Sequence, residues 1–203
     1  MSRSARRAPE TRLPLHGDGK GNYRVLLVGN AGTGKSTVAK QLSQLLGIRL
    51  LHLDSIFWQA NWVRTPFEDV RKQIKRVVYH DNWVIDGNAA VKGLIPSRAT
   101  DIIWLDPPLV LYFPRLFWRT ILRLFDIGPP PAPGCNESVR RMFFSTDSVL
   151  WYALKNHTVI RARYTPCCET EKHKWRRIGG WGSALRTWLG DVEDTLEVMR
   201  AQE

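Results

Sequence analysis

Gly29-Asn30-Ala31-Gly32-Thr33-Gly34-Lys35-Ser36 is the stretch on which the reading of this 203-residue chain turns. It has the form G-x-x-x-x-G-K-[ST], and Thr37 follows it. A chain of this length would carry that pattern by chance in roughly one case in a hundred. Its surroundings make it more specific. An apolar run, Arg24-Val25-Leu26-Leu27-Val28, precedes it, and residues 36–46 follow with Val38, Ala39, Leu42, Leu45 and Leu46 at helical spacing before Gly47. Strand, glycine loop and helix in that order form an anion cradle. Glycines let successive backbone N–H groups turn inward, and the helix N-terminus adds its partial positive charge. Lys35 at that spacing reaches β- and γ-phosphates, and the Ser36 hydroxyl suits magnesium. Residues 29–37 are therefore the expected site for ATP or GTP with Mg2+; the alternative is a glycine loop that merely starts a helix.

Outward from the loop, apolar runs alternate with helical segments. Arg49-Leu50-Leu51-His52-Leu53 ends at Asp54, a helical stretch covers 66–80, and Trp83-Val84-Ile85 ends at Asp86-Gly87. Asp101-Ile102-Ile103-Trp104-Leu105 is stopped by Asp106-Pro107-Pro108, and a helix is expected from about 109 to 125. Helical patches around 138–156, a last strand at 175–178 and a terminal helix over 183–200 complete the series. That alternation predicts an α/β fold with a parallel sheet covered on both faces. Between the halves lies Gly128-Pro129-Pro130-Pro131-Ala132-Pro133-Gly134, which reads as a connector, a hinge beside a lid or a polyproline ligand. Residues 1–22, with Arg3, Arg6, Arg7, Arg12 and Lys20, show no apolar periodicity and are expected to form a mobile basic tail, leaving 23–203 as one domain with a lid and connector at about 115–174.

The charge of +11, from 30 Lys+Arg against 19 Asp+Glu, favours polyanionic partners: nucleotides, phosphorylated metabolites, nucleic acid or an acidic membrane surface. Three cysteines, Cys135 and the vicinal Cys167-Cys168, fit reduced thiols in a cytoplasmic protein. The Arg-rich start keeps a mitochondrial address as the alternative, although Glu10, Asp18 and two prolines oppose an amphipathic helix there. No transmembrane segment is expected, since Arg115, Arg119 and Arg123 interrupt the longest apolar stretch; with Phe117 and Trp118 they leave a peripheral amphipathic helix open.

Four further sets of residues carry candidate chemistry. Asp86 at a strand end is the candidate carboxylate for magnesium, against a plain turn at Asp86-Gly87. Asp54, also at a strand end, either orients and deprotonates an acceptor hydroxyl or caps the following helix. Asp106 reads better as a strand stop than as a metal ligand. Arg115, Arg119 and Arg123 lie on one helical face, and Arg119 and Arg123 are the candidates for stabilising a transferred phosphoryl group, against a solvated basic face. Arg161 and Arg163 form a possible second arm.

Taken together, the motifs at 24–37, His52-Leu53-Asp54 with Phe57-Trp58 and Asn61-Trp62-Val63, Trp83-Val84-Ile85-Asp86-Gly87-Asn88, Ile103-Trp104-Leu105-Asp106 and Ala132-Pro133-Gly134-Cys135 resemble the adenylate-kinase-like P-loop kinases. The nearest resemblance is to the group called DNA topology modulation proteins, and it runs from about 24 to 137. It implies a three-layer P-loop NTPase fold with a five-stranded parallel sheet and a small lid, in which the strand ending at Asp86 lies beside the strand ending at Gly29. It also implies that Phe57, Trp58 and Trp62 belong to an acceptor-binding flap. Asn88-Ala89-Ala90 replaces the Phe-Pro-Arg of adenylate kinases, which argues against AMP as acceptor. The expected activity is transfer of the γ-phosphoryl of Mg-ATP to a small acceptor such as a nucleoside, nucleotide or other hydroxyl metabolite. The alternatives are a nucleotide-gated protein that binds nucleic acid, for which no recognition motif is visible, and a slow NTP hydrolase.

Overall fold

The computed structural model describes residues 13–88, 93–125, 127, 128, 130, 132–135, 139 and 148–202. Five parallel strands form the central sheet: β1 (Arg24–Gly29), β2 (Leu50–His52), β5 (Trp83–Asp86), β6 (Asp101–Asp106) and β7 (Trp175–Gly179), in the order β2-β5-β1-β6-β7. The loop-bearing strand β1 is central, with Leu27 in register with Asp86 on one side and Gly29 with Leu105 on the other. A two-stranded hairpin, β3 (Trp58–Gln59) and β4 (Val63–Arg64), stands apart from the sheet.

Burial of the strands on both faces explains why they read as continuous apolar runs: alternate residues face opposite layers. Leu26, Val28, Trp83, Ile85, Ile102 and Trp104 pack against α2 (Leu53–Phe57), α3 (Phe67–Val78), α4 (Leu94–Arg98) and α6 (Val149–Thr170). Val25, Leu27, Val84, Ile103 and Leu105 pack against α1 (Lys35–Leu46) and α7 (Ser183–Arg200). The result is the three-layer α/β architecture with a five-stranded parallel sheet. A smaller third cluster joins α5 (Leu109–Leu124) to α6 through Tyr112, Leu116, Leu150 and Ala153.

Residues 1–12, the arginine-bearing part of the expected tail, lie outside the described residues, as do 89–92, Pro129, Pro131 and most of 136–147, where part of the lid was expected. Residues 13–22, which the sequence reading also assigns to a mobile tail, pack across the base of the sheet. Buried Asp101 accepts from the backbone N–H of His16 at 2.7 Å and of Gly17 at 3.0 Å, Leu15 enters the core, and Trp188 Nε1 donates to the Pro14 carbonyl at 2.9 Å. These anchors are a buried carboxylate and an indole far along the chain, so no local periodicity announces them. Helix α6 is also longer than the patches expected around 138–156, because its apolar residues are spread round the helix instead of forming one stripe.

Candidate phosphate-binding site

The strands deliver their carboxyl ends to one edge of the sheet. Gly29, His52, Asp86, Asp106 and Gly179 stand there, the edge at which open α/β sheets bind ligands. Gly29 and Gly32 are fixed by their surroundings. A Cβ on Gly29 would lie 2.5 Å from the Leu105 carbonyl oxygen, and one on Gly32 would lie 2.8 Å from Leu116 Cβ, so the loop is laid tightly between β6 and α5. Gly34, at φ 94°, caps α1 and faces open space.

Every polar group of the Asn30 amide is used inside the protein. Its Nδ2 donates to Tyr112 Oη at 2.8 Å and to the Ala153 carbonyl at 2.6 Å, and its Oδ1 accepts from Ala31 N–H at 2.8 Å. The Asn30 carbonyl in turn accepts from Lys35 Nζ at 2.7 Å and from the Thr33 hydroxyl at 2.9 Å. Gly29 N–H donates to Asn88 Oδ1 at 3.0 Å. Thus Lys35 lies folded back on its own loop, where a phosphate oxygen would compete for it.

Lys35, Asp54, Asp86 and Arg119 act on one another electrostatically. Burial lowers the Lys35 pKa, opposed by the Asp86 and Asp54 charges and reinforced by Arg119. Asp54 keeps an exposed side at the cleft mouth, yet the protein packed around its carboxyl raises its pKa; Asp86 adds to the rise, while Lys35, His52 and Arg119 oppose it. For Asp86 burial also works upward, but the hydrogen bond from His52, the Lys35 charge and the nearby Ser36 hydroxyl outweigh it and hold the carboxyl below its ordinary value. His52 Nδ1 lies 2.9 Å from Asp86 Oδ2, and that bond raises the imidazole pKa.

The other oxygen, Asp86 Oδ1, is buried and accepts no hydrogen bond. A buried carboxylate oxygen left open beside a serine hydroxyl is the donor chemistry a hard divalent cation takes, so Ser36 and Asp86 fit magnesium. Among the described residues no group of three or more His, Cys, Asp or Glu is placed to hold a metal ion.

Of the arginines, Arg115, Arg119 and Arg163 are exposed and Arg123 is half-buried; the Arg119 charge acts on Lys35 and Asp54. Arg161 is committed elsewhere: its Nε donates to Asp106 Oδ1 at 2.8 Å, while Arg177 donates to Oδ2 and stacks over Trp104. Asp106 is therefore an ion-pair hub, in keeping with the structural reading of that residue. Of the aromatics of the expected flap, Phe57 ends α2 and packs against the core, while Trp58 and Trp62 sit on the β3–β4 hairpin, their rings edge to face with centroids 5.6 Å apart and Arg64 over Trp58. The end of the proline-rich segment braces that hairpin, with Gly134 O accepting from Asn61 N–H at 2.9 Å and Cys135 Sγ–H donating to Gln59 O at 3.2 Å.

Two contributors escaped the sequence reading. His52 stands in register with Asp86 across the β2–β5 pair, and Tyr112 holds Asn30. Pairing the ends of the two strands would have exposed His52; nothing local marks Tyr112. A cavity of about 330 Å3 lined by Arg49, Val77, His80, Asp81, Asn82 and Trp83 lies at the opposite edge of the sheet, where β5 begins, and is separate from this site.

The loop, its position on the central strand and the strand order are those of the P-loop fold. In agreement, residues 25–106 match the family model described as ATPase family associated with various cellular activities (AAA). Among solved structures the chain is similar to a shikimate kinase from Acinetobacter baumannii in complex with shikimate, at 14% identity and a TM-score of 0.50, over 90% of this chain and 95% of that one. It is also similar to a gluconokinase from Sinorhizobium meliloti 1021, at 14% identity and a TM-score of 0.47, over 95% and 99% of the two chains. At such identity the shikimate kinase likeness concerns the fold, which is that of the P-loop kinases. No curated protein sequence matches the chain.

Proposed function

We propose that the chain is a phosphotransferase that moves the γ-phosphoryl of Mg-ATP to a hydroxyl of a small metabolite. The observation that carries this reading is the placement of Asp54 two residues past the end of β2, beside the β5 end that bears Asp86, with the Lys35 charge acting on both carboxylates. A carboxylate at that edge can take the proton of an incoming hydroxyl. The fold likeness to a shikimate kinase supports the same class.

In this reading the backbone N–H groups of residues 29–37 and Lys35 bind the triphosphate. Ser36 and Asp86 hold magnesium, which when bound neutralises charge on the β- and γ-phosphate oxygens. His52 fixes the Asp86 carboxylate through Oδ2 and leaves Oδ1 for the ion. Asp54 accepts the proton of the attacking hydroxyl, and Arg119, with Arg123 behind it, offsets the charge that develops on the transferred group. Trp58 and Trp62 form one wall for the acceptor.

The test is turnover of the purified protein with Mg-ATP against a broad panel of hydroxyl metabolites. Transfer should occur to at least one of them, and Asp54→Asn should lower kcat by about 10²–10⁴-fold while ATP still binds. No transfer to any acceptor, with ATP binding intact in the wild type and lost in Lys35→Ala, would overturn the kinase reading and leave a nucleotide-binding protein.

A further inference from the structure

We infer that Tyr112 is a positioning residue which ties the phosphate loop to α5 and α6, so that filling the loop is transmitted to the helix carrying Arg119. The inference rests on the loop binding a nucleoside triphosphate, as proposed above, but not on any particular acceptor.

Two of the three linked groups are buried and the third, His157, is half-buried. Asn30 and Tyr112 are 4% and 1% exposed, and the amide of the first donates to the hydroxyl of the second. Because Tyr112 Oη accepts that bond, its own proton is free for a second partner, and His157 Nδ1 lies 3.0 Å away. A neutral imidazole with its proton on Nε2 would accept there at Nδ1. The neutral form is favoured there, since burial and the Arg161 charge lower the His157 pKa against the weaker pull of Asp106. The contacts run from Asn30 through Tyr112 to His157 and span the loop, α5 and α6. A second Asn30 donor fixes α6 directly at Ala153 O.

The same loop residue holds Lys35. Its carbonyl takes the Lys35 ammonium, and its side chain takes the helices. A triphosphate that draws Lys35 forward changes the load on the Asn30 peptide, while the side-chain bonds keep that peptide registered on Tyr112. Close packing reinforces this, for a Cβ on Gly32 would meet Leu116 Cβ at 2.8 Å and the Tyr112 carbonyl oxygen at 3.3 Å. Leu116 and Tyr112 lie on the same helix as Arg119, so loop and arginine are held by neighbouring turns of α5. Hydrogen-bonded networks of this kind have discrete arrangements and pass displacement on instead of absorbing it.

Amide hydrogen exchange with and without a non-hydrolysable Mg-ATP analogue tests the inference, with a fluorescent ATP analogue confirming loading. In the wild type the analogue should slow exchange in the loop and, by at least about fivefold, in α5 and α6. Tyr112→Phe, which removes only the hydroxyl, should keep protection in the loop and lose most of it in the two helices; His157→Gln, at the far end of these contacts, should do the same. A variant that merely loosens the fold would raise exchange in the free protein, with the nucleotide-dependent increment intact. Equal helix protection in wild type and Tyr112→Phe, or loop protection without helix protection in the wild type, would overturn the linkage. Absence of any loop protection in the wild type would overturn the nucleotide reading and this inference with it.

Discussion

Alanine at Gly32 and alanine at Gly34 should damage the fold unequally, although both glycines stand in the left-handed region, at φ 82° and 94°. Backbone strain at a positive φ costs a residue with a Cβ about 1–2 kcal/mol. At Gly34 the new methyl group would meet nothing within 4 Å, so strain is the whole of the expected effect on stability. At Gly32 it would stand 2.8 Å from Leu116 Cβ, closer than two such atoms can lie, and crowding of a packed interior adds about 1–3 kcal/mol. Gly34→Ala should therefore lower the free energy of unfolding by about 1–2 kcal/mol, and Gly32→Ala by about 2–5 kcal/mol. Urea unfolding followed by far-UV circular dichroism, with nucleotide absent, measures both. Leu116→Ala should not relieve the crowding, because alanine keeps the Cβ in contact. Equal losses in the two glycine variants would refute the claim that the loop is seated directly on α5.

Three further outcomes are expected. Asp86→Asn should raise the magnesium concentration giving half-maximal nucleotide-dependent stabilisation by about tenfold or more, read by thermal denaturation across a magnesium series; an unchanged midpoint would remove Asp86 from the metal site. Asp101→Ala leaves the His16 and Gly17 N–H groups without their acceptor, and at about 1.5–3 kcal/mol for a hydrogen bond to a charged group it should release residues 13–22 to limited proteolysis while the sheet stays folded. Asp18, held by the Asn22 side chain and the Lys20 N–H, has its pKa lowered to about 2, below an unfolded value near 3.8. Its contribution to stability is thus fully present above about pH 4 and is lost as pH falls through about 2; carboxyl NMR titration showing an ordinary midpoint would contradict the turn geometry.

Much of the frame was legible because it is written locally. An apolar run ending in a glycine loop, with a helix at 3.6-residue spacing behind it, places β1, the loop and α1 without reference to anything else. The same applies to the strands closed by Asp86 and Asp106. Less local features were harder to read. His52 meets Asp86 only because the edge strand β2 pairs with the buried β5, a register that no local pattern in β2 announces. The two-residue strands of the Trp58–Arg64 hairpin are too short for alternation to register, and Asn61 and Trp62 adopt positive φ that residue type does not suggest. Arg161 looked free for a phosphate because its partner, Asp106, lies 55 positions away.

The clasp formed by Pro14, Leu13 and Asp101 has a consequence for the order in which the molecule is completed. Trp188 and Arg176, which hold the carbonyls of Pro14 and Leu13, leave the ribosome more than 160 residues after the segment they secure. The stretch translated early is thus fastened late, when α7 closes over Leu15. A chain arrested before α7 can pair β1 with β5 and β6 and keep the Asp101 bonds, but lacks the Trp188 indole and the packing of α7 over Leu15. Complete docking of residues 13–22 therefore marks a molecule whose synthesis has run through α7.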